Sequence, residues 1–220
     1  MGRLTGDRGK TTGFWDKRGG AEKTLCACYA NLRSTITPKE KNMEIELDDV
    51  VACLRETHCF IDELQAPSEA GIYGVFACFP GILAPFPVGN DGLIYIGVSS
   101  NLAERECEHH FSSDRTGFST LRRTLGAILR EKLCLVPIPR SPGSRGCVYR
   151  FESEGEDRLT DWMRANLEVG VCCTGDPKMV ECELIALLKP VLNLTKWQNP
   201  HRKEIKRLRK QCADDAQIQK

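Results

Sequence analysis

The sequence predicts an α/β (α+β) domain: a small, twisted, mostly antiparallel sheet flanked by helices. Two short apolar runs carry that expectation, Gly71-Ile72-Tyr73-Gly74-Val75-Phe76 and Leu93-Ile94-Tyr95-Ile96-Gly97-Val98. Both are rich in β-branched and aromatic residues and bounded by Gly, Pro, Asn or Asp, so they read as strands. Segments of helical apolar period lie on either side of them. With 220 residues, 41% of them apolar, the chain can bury one ordinary domain and still carry tails.

Residues 1–42 are rich in Gly, Lys, Arg and Thr and follow neither a helical nor a strand period, which reads as a flexible basic tail. An equal reading is that Met43 is the start and the upstream residues are not native. From Met43 the spacing of Ile45, Leu47, Val50-Val51 and Leu54 predicts a packing helix, ended by Ala66-Pro67-Ser68 before the first strand. Side chains alternate along a strand, so Tyr73 points away from Ile72 and Gly74, and Tyr95 away from Ile94 and Ile96. Paired antiparallel, the two strands bring both phenols to one surface. Between them, residues 79–92 are too rich in Pro for a strand interior and form a loop that either contacts substrate or packs over the core.

Asn101 with Glu104 three residues later starts a helix on which Arg105 and His109 share a face, while His110 falls elsewhere and reads as structural. Leu121, Leu125, Ile128, Leu129 and Leu133 predict an amphipathic helix with a basic rim of Arg122, Arg123, Arg130 and Lys132. Pro137, Pro139 and Pro142 mark a loop, followed by a short strand from Val148 to Glu152 and a helix from Leu159 to Leu167. Val169 to Thr174 reads as a strand. Asp176-Pro177 then opens a helix whose buried stripe is Val180, Leu184, Leu187 and Leu188, with Glu181 beside it.

The order Gly71-Ile72-Tyr73, Tyr95-Ile96-Gly97, Asn101-Leu102 and Arg105, then Glu181, Leu184-Ile185, Lys189-Pro190 and Asn193, resembles the signature of GIY-YIG nucleases. Each triplet alone is weak; their order and spacing together are specific. The resemblance divides the chain into the 1–42 tail, a nuclease domain over 43–195 with an insertion around 115–167, and a basic C-terminal helix over 196–220. It implies a metal-dependent endonuclease that hydrolyses DNA phosphodiesters. Glu181 would hold Mg²⁺ (or Mn²⁺), Arg105 the scissile phosphate, and Tyr73 would act as general base with Tyr95 hydrogen-bonding nearby. A phenol titrates near pH ~10, so Tyr73 would need a neighbouring cation or a metal-bound water to lower the barrier. His109, one turn after Arg105, is the natural proton shuttle or phosphate contact, and the amide of Asn193 either orients site groups or caps a helix end. Val98 stands where some relatives carry Lys.

A net charge of +1 says little, so a DNA surface must come from local clustering. Lys196, Arg202, Lys203, Lys206, Arg207 and Lys210 near the C-terminus, with Arg122 and Arg123 on the basic rim, are the nucleic-acid-binding candidates. No run reaches the ~20 apolar residues of a membrane span, and the charged N-terminus lacks a secretory signal's apolar centre. The chain is therefore expected inside the cell, in the cytoplasm, nucleoid or nucleus, with its twelve cysteines reduced. Two other classes remain open. One is a non-catalytic DNA- or protein-binding module on the same scaffold. The other is a zinc-supported nucleic-acid-binding protein drawing on Cys107, His109, His110, Cys172-Cys173 or Cys26 and Cys28, whose spacing is poor for structural zinc.

Overall fold

The computed structural model describes residues 47–104, 110–141 and 148–218. The expected basic tail lies outside them, as do Arg105, His109 and Cys107. The chain begins with helix α1 (Leu47–Thr57), strand β1 (Cys59–Phe60), β2 (Gly71–Ala77), β3 (Leu93–Ser99) and a short helical stretch α2 (Leu102–Glu104). Then come α3 (Thr120–Leu129), β4 (Pro137–Pro139), β5 (Tyr149–Phe151), α4 (Ser153–Asn166), β6 (Leu167–Cys173), α5 (Pro177–Leu188) and α6 (Arg202–Ile218).

One four-stranded sheet, in the order β1-β6-β2-β3, is antiparallel throughout. β2 is central and almost wholly buried, which is why its seven residues are apolar on both faces. Ile72, Phe76, Leu93, Ile96 and Cys172 pack on one side against Val50, Val51 and Leu54 of α1 and Val180, Leu184 and Ile185 of α5. Tyr73, Val75, Ala77, Ile94, Val169 and Val171 face the other side, with α3, α4, α6 and the β4–β5 ribbon. Between Val75 and Phe76 the β2–β3 register slips. That irregularity turns Ile94 to the same side as Tyr95, where strict alternation places it opposite.

Three expectations need correcting. Pro137–Pro139 is a strand, since a two-stranded ribbon tolerates Pro where no ladder N–H is needed. Helix α4 begins at Ser153, six residues ahead of the apolar period that signals it, because Glu156 is buried inside its first turns. Leu187 is exposed and Ile185 takes its place in the buried stripe of α5. Leu83 and Phe86 are buried, so the 79–92 loop packs over the core. Helix α6 belongs to that core too, through Ile205, Cys212, Ala213 and Ala216. No helix of the described residues is long and apolar enough to cross a membrane. Among them Cys53, Cys59, Cys78, Cys134, Cys172, Cys173, Cys182 and Cys212 are free thiols.

Candidate active site

Strand register determines where the phenols sit. Tyr73 lies opposite Gly97 and Tyr95 opposite Val75, so both side chains rise from one face of adjacent strands, with ring centroids 6.1 Å apart. A Cβ at position 97 would lie 2.3 Å from the Tyr73 hydroxyl, so only glycine there lets that ring lie across β3. A Cβ at position 71 would meet the Cys172 carbonyl at 2.3 Å. Gly97 thus makes room for the Tyr73 ring, and Gly71 for the close approach of β6. Tyr95 is half-buried, whereas Tyr73 is only 1% exposed.

The partner of Tyr73 is His110. The Tyr73 hydroxyl and His110 Nε2 are 2.8 Å apart, and His110 Nδ1 lies 2.8 Å from Ser119 Oγ. Ser119 is the N-cap of α3 and accepts a hydrogen bond from the Arg122 backbone N–H. Arg122 is fully buried, at 0% exposure, and its guanidinium donates to the His110 carbonyl, the Thr116 and Thr160 hydroxyls and the Glu156 carboxylate. Glu156 in turn accepts from Thr116 and from the Phe151 backbone N–H. Burial draws the Arg122 pKa down from its ordinary value while the Glu156 charge opposes that pull. Arg122 is therefore no DNA contact, correcting the sequence-based expectation: its helix turns it inward, where Glu156 pairs with it. His110, read as merely structural from its helical face, stands against the first tyrosine. The available signal was chemical, a second imidazole directly after His109.

Asn193 clamps the outer edge of the sheet. Its side-chain oxygen accepts from the Ile96 N–H and its amide donates to the Ile96 carbonyl, at 2.9 and 2.8 Å. The amide thus replaces a missing neighbouring strand beside Tyr95 and Gly97, and the Leu192 N–H bonds the Ile94 carbonyl just before it. Its position is that of a group that holds β3 in place.

Glu181 sits on α5, and its carboxylate pairs with the Lys196 ammonium at the molecule's rim, with side-chain exposures of 16% and 32%. Burial works against the Lys196 charge, but the bonds to Glu181 and the Cys182 thiol prevail and raise its pKa above the usual lysine value. Lys196, expected on the DNA surface, is thus engaged with the proposed metal-binding carboxylate. Glu181 fits a hard divalent ion: one solvent-reached carboxylate leaves most of the coordination sphere to water and phosphate oxygens, and the ammonium already present marks the position as one that accepts a cation. No group of three or more metal-ligating side chains occurs among the described residues, and both ring nitrogens of His110 are engaged. Arg202, Lys203, Lys206, Arg207 and Lys210 form an exposed basic side of α6, with Arg207 paired to Glu204 and Lys210 to Asp214.

A family model, the GIY-YIG catalytic domain, matches residues 88–211, more than half of the chain. The chain belongs to the GIY-YIG family. That assignment carries a nuclease-type function, and GIY-YIG nucleases are generally divalent-metal dependent. The match starts after the first triplet, and it is the β2–β3 pairing that brings Gly71-Ile72-Tyr73 to the matched Tyr95-Ile96-Gly97. No curated protein and no solved structure matches the chain.

Proposed function

We propose that this GIY-YIG protein is a divalent-metal-dependent endonuclease that hydrolyses DNA phosphodiester bonds. The observation that carries the reading is the Tyr73–His110 pair, a phenol with an imidazole nitrogen at hydrogen-bond distance, beside a second phenol. With the proton on Nδ1, His110 donates to Ser119 and leaves Nε2 to accept from Tyr73. Tyr73 can then pass its proton to the imidazole as it takes one from the attacking water, which supplies what a phenol alone lacks at neutral pH. Tyr95, less buried, orients the water or phosphate. Arg105 and His109 keep the roles that the family resemblance implies, on the scissile phosphate and the proton path. Asn193 fixes the strand that carries Tyr95. A divalent ion held by Glu181 would neutralise charge developing on the phosphate. Lys196 occupies the cation position beside that carboxylate in the free protein.

The test is a panel of labelled duplex, flap, junction and single-stranded DNA with and without Mg²⁺, run beside Glu181→Ala, Arg105→Ala and Tyr73→Phe. Mg²⁺-dependent cleavage lost in each folded variant is the expected result. A wild-type protein silent on every substrate would replace the reading with a binding module on the same scaffold.

A further inference from the structure

The arginines of this domain divide sharply by partner. Arg55, Arg122, Arg130, Arg150, Arg158, Arg164 and Arg207 each pair with a carboxylate. Arg115, Arg123, Arg140, Arg202 and Arg209 have no ion pair among the described residues, and of these Arg123, Arg140 and Arg209 converge although they come from α3, the segment after β4, and α6. The Arg140 side chain crosses Gly117, whose carbonyl holds Arg123, and Arg209 stands on α6, which packs against α3; burial first, with the Arg209 and Arg140 charges, lowers the Arg123 pKa. Arg123 Nη1 is held by the Thr116 and Gly117 carbonyls at 3.1 and 3.0 Å, while its buried Nε has no partner. Like charges gathered without a counter-charge are unfavourable in the free protein, which is the arrangement a polyanion relieves.

An aromatic ring stands at the same place. Phe118 is 58% exposed, and the Arg140 guanidinium carbon lies 4.2 Å from its ring centroid, covering one face. The Arg140 side chain crosses Gly117, where an added Cβ would lie 3.1 Å from Arg140 Cγ. Phe118 directly precedes Ser119, which bonds His110, which bonds Tyr73. The exposed ring is therefore tied by two hydrogen bonds to the phenol of the proposed site. On α6, Arg202, Lys206 and Arg209 follow at four- and three-residue intervals and so line one face leading to the cluster.

We propose that Phe118, Arg140, Arg123 and Arg209 form a subsite for an unpaired stretch of DNA, with a base stacked on the open face of Phe118 and its flanking phosphates held by the guanidinium groups. The proposal rests on the nuclease reading and narrows its substrate class: bases inside a blunt duplex are already stacked and offer Phe118 no face, whereas a single strand, flap or overhang does. Arg202 and Lys206 would carry the backbone leading in.

Binding without cleavage separates this proposal from the nuclease reading. Anisotropy of labelled oligothymidylate, a blunt duplex and the same duplex with a single-stranded flap would be measured with the full chain in EDTA at several salt concentrations. Single strand and flap are expected to bind more tightly than duplex. Phe118→Ala should weaken them about tenfold, leaving the duplex unchanged, and Phe118→Trp should restore them. Arg140→Gln should flatten the salt slope on single strand by about 0.7. Phe118 is exposed and its replacement should leave the melting temperature in place; a matching melt excludes misfolding. Equal loss on duplex and single strand, or no loss with Phe118→Ala, overturns the subsite even if cleavage is intact. Selective binding with no cleavage of any substrate retires the nuclease reading and leaves the subsite standing.

Discussion

Arg122–Glu156 and Lys196–Glu181 are the same kind of contact, a cation on a carboxylate, but the first is wholly buried and the second sits at the rim. Enclosed, Arg122 and Glu156 have no alternative partner, and each is also bonded to hydroxyls and backbone groups that fix the His110 segment. At the rim, Lys196 and Glu181 can exchange each other for water, an ion or a phosphate at little cost. The contrast teaches that a charged pair in this molecule is read by its access to solvent: the inner one builds the site, and the outer one keeps a carboxylate ready.

The largest effect should come from breaking the inner pair. Glu156→Ala leaves Arg122 charged and enclosed, and should cost about 3–5 kcal/mol in a denaturant melt. Arg122→Met combined with Glu156→Leu should recover much of that loss; a Glu156→Ala cost below about 1 kcal/mol would mean that water reaches the network. Tyr73→Phe keeps the ring over Gly97 but leaves His110 Nε2 without its phenol. It should cost about 1–3 kcal/mol and lower cleavage at least ~100-fold. Full cleavage by that variant would remove the pair from the chemistry. Asn193→Ala strips the β3 edge of two bonds, and about 1–2 kcal/mol of stability with a loosened Tyr95 is expected from hydrogen exchange at Ile96. Smallest of all, Lys196→Met should change stability by less than ~0.5 kcal/mol, yet bind Mn²⁺ several-fold more tightly by magnetic resonance, because Glu181 no longer has a resident cation. The Lys196 pKa is raised in the folded protein, so its small stabilisation is complete below the ordinary lysine value and fades as pH rises past it. Melts above pH ~10.5 should therefore converge for wild type and Lys196→Met. If Mn²⁺ affinity does not move, Lys196 and the ion do not compete.

What the sequence made legible was periodic or local. β2 and β3 follow from their β-branched and aromatic runs, and α5 from an Asp176 cap that accepts the Met179 N–H ahead of Pro177. The common face of Tyr73 and Tyr95 follows from alternation, since Tyr73 lies opposite Gly97, two residues along β3 from Tyr95. The inner network was not legible, because it joins positions as far apart as Thr116 and Glu156. On a helical wheel Arg122 falls within the arc of Leu125, Leu129 and Leu133 while Arg123 lies outside it, but the wheel does not name Glu156 as the partner; that comes from the placement of α4 against α3. Lys196 was invisible as a partner of Glu181 for the same reason, the turn between α5 and α6 being set by Asn193 and Asn199 bonding backbone groups rather than by any apolar period.

The close seating of the Tyr73 ring over Gly97 has an implication for anyone reading variation in this protein. Position 97 touches no substrate in the scheme proposed, and its own chemistry is nil, but the smallest possible addition there would displace the hydroxyl of Tyr73. A saturation scan scored by cleavage would rank it alongside the reactive side chains, and a scan scored by folding alone would miss why.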